Sequence, residues 1–176
     1  LPAGPAIFPL RATCRGAGKP MEVTTEIRAA DMPLKGAIVV QAEAFVAQEG
    51  GAVQIRDDKA GASGRSFSHW DSAGHWLRWR VRVPEAGTYR LILRYCTKQD
   101  TQREVRVDSE APLKQTLRNS GGFSSVTSSD WAHHVVTGAD GKPHLFRLSA
   151  GEHTITLTNT DGNGVNLDYL ALVKER

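Results

Sequence analysis

The sequence predicts an all-β domain, a sandwich or a barrel, and three observations carry that expectation. Runs of about 4–9 residues, rich in Val, Ile, Thr, Leu and aromatics, follow one another from residue 37 to the C-terminus. Clusters of Gly, Pro, Asp and Ser separate them at the roughly 8–12-residue spacing of sandwiches and barrels. No window sustains the i, i+3, i+4, i+7 apolar spacing of an amphipathic helix.

Residues 1–35 stand apart. Proline at 2, 5, 9 and 20 and glycine at 4, 16 and 18 give them the composition of a linker or an irregular leader, with one short strand at 21–30. The domain proper is assigned to 36–176. Its strands are read at 37–45, 53–56, 66–70, 76–83, 88–96, 104–107, 112–117, 132–136, 144–148, 153–158 and 167–173. Alternation puts Gln41 and Glu43 on one face of the first strand, and Arg78, Arg80 and Arg82 on one face of another. Trp76 and Trp79 read as core. Trp70 and Trp131, flanked by Asp71, Asp130 and serines, read as loop aromatics. Two stretches echo each other around an Ala-Gly turn, 83–93 and 148–157, and read as two similar hairpins.

Composition limits the function more than it names it. The chain has 176 residues, enough for one domain with a core of its own, and a net charge of +3. That balance argues against nucleic acid as a partner, while the arginine rows leave an anionic glycan open. There is no apolar run of about 18 residues, so no membrane-spanning helix is expected. The chain starts at Leu1 without the order of a signal peptide, which reads as a processed or excised piece of a longer protein. Cys14 and Cys96 are either one disulfide tying the leader to the body or two unrelated thiols. Among catalytic signatures there is no GxSxG, HExxH, P-loop or GxGxxG, and Asp57 and Asp58 point apart in an extended chain. A small polysaccharide hydrolase or lyase would have to use His133, His134 or Asp161.

The informative residues lie at the two ends of the β region. If the first and last strands pair, as in jelly rolls, Gln41, Glu43 and Asp168 converge. Two carboxylates and an amide oxygen, completed by carbonyls and water, make the oxygen-only environment that Ca²⁺ selects.

With these segments in order the chain resembles the carbohydrate-binding modules of the family 6, 35 and 36 group. The matching residues are Val40-Gln-Ala-Glu-Ala-Phe45, Ala52-Val-Gln-Ile-Arg56, Gly61-Ala-Ser-Gly64 with Phe67, and Gly74-His-Trp-Leu-Arg-Trp79. They continue with Val81-Arg-Val-Pro-Glu-Ala-Gly-Thr-Tyr89, Leu148-Ser-Ala-Gly-Glu-His-Thr-Ile155 and Gly164-Val-Asn-Leu-Asp-Tyr169. The resemblance implies a jelly-roll β-sandwich of two antiparallel sheets, with a structural Ca²⁺ held by Gln41, Glu43 and Asp168. Gln41 stands where the family usually has a glutamate, so the site is expected to be weak. The resemblance further implies a sugar site in which loop aromatics, at His69 or Trp70 and at Trp131, stack a pyranose ring that Asn166 hydrogen-bonds. Phe123 and residues 98–103 are placed to build a different rim. The implied protein is non-catalytic and binds a polysaccharide or oligosaccharide. It serves a linked catalytic domain of a secreted, periplasmic or cell-surface bacterial enzyme. The alternative outside this class is a structural or protein-interaction sandwich without sugar binding.

Overall fold

A computed structural model describes residues 34 and 36–175 with their side chains, and Ile7–Cys14 and Met21–Arg28 by backbone alone. These last two, β1 and β2, pair as an antiparallel hairpin with Cys14 opposite Met21. The strand read at 21–30 is thus present, and its partner lies in the stretch read as irregular. Pro9 hides β1 from the sequence, because proline argues against a strand except at an edge. Both strands of a hairpin are edges.

The remaining strands form two antiparallel sheets. One has five strands in the order β10 (Leu113–Leu117), β9 (Thr101–Val107), β13 (Gly151–Asn159), β7 (Trp76–Val83), β4 (Ala47–Glu49). The other runs β11 (Ala132–Val135), β8 (Gly87–Cys96), β14 (Val165–Lys174), β6 (Ser66–Trp70), β5 (Gln54–Arg56). Beside it, β12 (Phe146–Leu148) pairs with β8 and β3 (Ile38–Gln41) with β14. First and last strands of the sandwich therefore do pair, with Gln41 opposite Tyr169.

Alternation builds the core. Along β7, Leu77, Trp79, Val81 and Val83 are buried while Arg78, Arg80 and Arg82 face solvent. Leu91, Leu93 and Tyr95 of β8 and Ile155 and Leu157 of β13 join the same cluster. Each such fully buried side chain stabilises by roughly 1.5–3 kcal/mol. Trp79 anchors its indole N–H on the Ala42 carbonyl at 2.9 Å. Trp76, expected in the core, is only half-buried and lies on the outer sheet face beneath the Arg78 guanidinium.

Two sequence expectations change. The strand read at 37–45 is broken by a 3₁₀ turn at Ala42–Ala44, where the chain leaves one sheet for the other. Glu43 therefore belongs to the turn and not to a strand face. The two Ala-Gly echoes are arches between sheets rather than hairpins. In each, one strand lies in the five-stranded sheet and the other in the seven-stranded sheet. This turns the apolar faces of both strands toward the shared core.

Candidate functional site

Two β-bulges set the geometry. Between β6 and β14, Trp70 pairs with Val165 and Phe67 with Leu167, so three steps on β6 span two on β14. The extra residue is accommodated at His69, which takes φ +60° and turns outward, while Phe67 and Trp70 both remain inside. Between β14 and β8, Leu167 pairs with Tyr95 and Tyr169 with Arg94, leaving Asp168 as the unpaired residue of β14. Bulges re-aim side chains and are common beside functional sites.

His69 lines a cleft of ≈190 Å³ together with Phe123, Asn166, Asp71, Arg56 and Lys59. Residues 57–65 supply Lys59 and residues 119–127 supply Phe123 and Ser125. The two segments are tied together, since Ala60 N–H donates to the Ser124 carbonyl (2.9 Å) and Ser124 Oγ to the Ala60 carbonyl (2.6 Å). Gly61 sits at φ +71°, and a Cβ there would lie 2.4 Å from Ser128 Cβ, so this position accepts only glycine without a shift. The 159–164 turn is held from below by Arg103, whose side chain is fully buried. Its guanidinium donates to Asn159 Oδ1 (3.2 Å), Asp161 Oδ1 (3.2 Å), and the Trp70 and Asn163 carbonyls (3.2 and 2.6 Å), and it stacks 4.3 Å from the Trp70 ring centroid. Burial lowers its pKa to about 10, which still leaves it charged.

The sequence-predicted sugar residues fall into two groups. His69 and Asn166 both line the cleft. Trp70 (0% exposed) and Trp131 (1%) are interior, so neither presents a ring face to solvent. Trp70 is the inward residue after the bulge, its indole on the His75 carbonyl (3.1 Å). Trp131 follows the 3₁₀ turn Ser128–Asp130, donates to the Ala60 carbonyl (2.8 Å) and carries Arg94 on its ring. The aromatic that does reach the cleft is Phe123, half-buried, with Lys98 Nζ 5.5 Å from its centroid. Asn166 is 3% exposed and donates through Nδ2 to the Phe123 carbonyl (2.8 Å), so its first role is to hold the Phe123 loop.

Of the three residues expected to hold a cation, Gln41 and Asp168 meet at the Ser63 hydroxyl. Asp168, with no exposed side-chain surface, accepts from Ser63 N–H (2.9 Å) and Ser63 Oγ (3.2 Å), and Gln41 Oε1 lies 3.2 Å from the same hydroxyl. Glu43 lies against Arg65, and its Oε2 is buried with no hydrogen-bond partner. Among the described residues no three His, Cys, Asp or Glu side chains form a metal cluster, and the candidate donors are two carboxylates and an amide. An orphaned carboxylate oxygen in an all-oxygen donor set fits a hard divalent cation. One feature departs from that fit: Arg94 already forms an ion pair with Asp168.

The groups named for hydrolysis are each engaged elsewhere. His133 meets the Tyr169 hydroxyl at 2.6 Å, His134 is buried against Gln115, and Asp161 is bound by Arg103, Thr101 and the Gln102 N–H. Cys96 is a buried thiol pushed up to about 12 by burial; the Cys14 side chain lies outside the described residues, and with it the question of a disulfide.

Comparison with known proteins accords with this architecture. The family 35 carbohydrate binding module of Clostridium thermocellum superposes with a TM-score of 0.62 at 20% identity, over 80% of this chain and 99% of that one. A module of Cellvibrio mixtus lichenase 5A, solved in complex with cellotriose, gives 0.55 at 21% identity over 78% of this chain and 97% of that one. The exo-beta-D-glucosaminidase of Amycolatopsis orientalis is 27% identical over 120 residues, 67% of this chain but 11% of that protein's length. Residues 41–174 match the sequence model of carbohydrate binding module family 6, and the chain belongs to that family.

Proposed function

We propose that the chain is a targeting module, which holds a saccharide in the cleft beside His69 and Phe123 and tethers a linked catalytic domain to its glycan. A sugar presents its C–H face to an aromatic ring and its hydroxyls to polar groups, and the cleft offers both. The observation that carries the reading is the outward, left-handed His69 sharing one recess with the Phe123 ring. The likeness to a small part of a glucosaminidase supports a role beside a catalytic domain, where tethering raises the effective concentration of enzyme at its substrate. Such a protein works outside the cytoplasm, at the cell surface or secreted. We further propose that Gln41, Glu43 and Asp168 hold a structural Ca²⁺, for which the orphaned Glu43 oxygen is the support.

Affinity electrophoresis against a panel of plant, algal and host polysaccharides tests the sugar site. Phe123→Ala and His69→Ala should abolish retention without lowering Tm. Binding that survives both changes would place the site elsewhere, and no binding to any glycan would favour a structural or protein-interaction sandwich. The interior position of both Trp70 and Trp131 is the observation on that side. For the metal, EDTA should lower Tm and Glu43→Gln should remove that difference, since a ligand of the native state stabilises by mass action.

A further inference from the structure

The Asp168 carboxylate is claimed from two directions. Its bulged position points it into the space between residues 61–63 and β8, with its side chain fully buried. Oδ1 takes the Ser63 N–H and hydroxyl. Oδ2 takes the Arg94 guanidinium, whose own side chain is 14% exposed. The same Arg94 nitrogen donates to the Gly61 carbonyl at 3.0 Å. The guanidinium also lies 5.1 Å from the Trp131 centroid and 5.7 Å from that of Tyr169. Arg94 is thus packed between two rings with its donors aimed at Asp168 and Gly61. A fixed single positive charge already sits on one ligand of the proposed calcium cradle.

Building on the calcium reading, we infer that Arg94 is an internal cation that shares Asp168 with the metal. It closes the loop around residues 61–63 when calcium is absent and keeps the calcium affinity low. Calcium affinity follows the negative charge its ligands supply. Here Gln41 is neutral, Asp168 is paired with Arg94, and Glu43, with the exposed Arg65 3.9 Å from its Oε1, leaves only Oε2 without a partner. Two cations at one buried carboxylate also repel each other, with little solvent between them to weaken the effect. Arg94 holds this backbone through Gly61 and Asp168 holds it through Ser63, so a second cation on Asp168 would act on the loop that Arg94 already ties.

The test is calorimetric titration of the EDTA-stripped chain with CaCl₂, together with Tm with and without EDTA, for wild type, Arg94→Gln and Glu43→Gln. Wild type should bind weakly and lose little Tm in EDTA. Arg94→Gln should melt lower than wild type in EDTA, recover when calcium is added, and bind calcium about tenfold tighter or more. Glu43→Gln should lose the calcium response. If Arg94→Gln binds calcium no tighter than wild type, or loses binding, the inference fails while the calcium reading stands. If neither wild type nor Arg94→Gln shows binding or an EDTA effect, both fail. Should Arg94→Gln stay unfolded even with calcium, Arg94→Lys decides. Its shorter side chain gives up part of the Gly61 and Asp168 contact, so its affinity should rise by a smaller factor, and no rise overturns the inference.

Discussion

Acidification should destabilise the domain through His134, and the size of the effect follows from its surroundings. The imidazole is buried on β11, with Nε2 2.9 Å from Gln115 Oε1, which also accepts the Thr137 N–H at 2.9 Å. In the neutral ring Nε2–H donates to that oxygen. Burial lowers the pKa from 6.5 to about 4. The unfolded chain therefore takes up a proton at a pH where the folded one does not. Stability from this group is intact above the unfolded value and is lost as pH falls toward the folded one. At 1.36 kcal/mol per pKa unit the full loss is about 3 kcal/mol, of which about 2 kcal/mol has gone by about pH 5. His153 acts in the opposite direction. Desolvation alone would lower its pKa, but bonds to Asp108 Oδ2 (2.6 Å) and the Ser149 carbonyl (2.9 Å) outweigh it and raise it. Its contribution is present at acid pH and fades as pH rises through its folded pKa, so it offsets part of the loss. His134→Gln keeps a donor for Gln115 and removes the titration. Urea unfolding followed by tryptophan fluorescence, at about pH 7 and about pH 5, should show wild type losing about 2 kcal/mol more than the variant. Equal losses would refute the buried-imidazole argument.

Three further outcomes are expected. Trp131→Ala should cost about 3–5 kcal/mol by urea melts, the cost of emptying a core site, whereas an exposed sugar platform would lose binding at unchanged stability. Arg103→Met removes one partner of the partly buried Asp161 pair and five other acceptor contacts, and should cost about 3–5 kcal/mol by the same assay; a loss below about 1 kcal/mol would show that the 159–164 turn holds itself. Asn166→Ala strips the Phe123 carbonyl of its donor, and should lower stability by about 1 kcal/mol while weakening glycan retention through the displaced loop. Unchanged retention there would separate Asn166 from the site.

The alternating parts of the fold were legible because period-2 burial is written residue by residue. The reading of 76–83 reappears in β7 with its arginines outward. The break at Ala42 was not legible, since Gln-Ala-Glu-Ala-Phe suits a strand equally well. What decides it is pairing at a distance, with β14 before the turn and β7 after it. The polar neighbours of Trp131 suggest a loop aromatic, but they belong to the 3₁₀ turn before it, and the Ala60 carbonyl gives the indole a buried acceptor. Arg103, expected with residues 98–103 on a rim of the sugar site, is instead a buried residue of β9. Thr101, Arg103, Val105 and Val107 occupy one face of β9, and that face is buried throughout.

The bulges had no local signal because a bulge belongs to two strands at once. His69 and Asp168 look like ordinary strand residues until β14 is laid against β6 on one side and β8 on the other. Both irregularities therefore fall on one strand, and the residues facing them meet in a single stretch of chain. Residues 57–65 supply Lys59 to the cleft and Ser63 to the cradle, with Ala60 bound to Ser124 and Trp131 between them. A wall shared in this way ties the Arg94–Asp168 ion pair to one side of the cleft. Arg94, packed on Trp131 and bonded to Gly61, makes that tie.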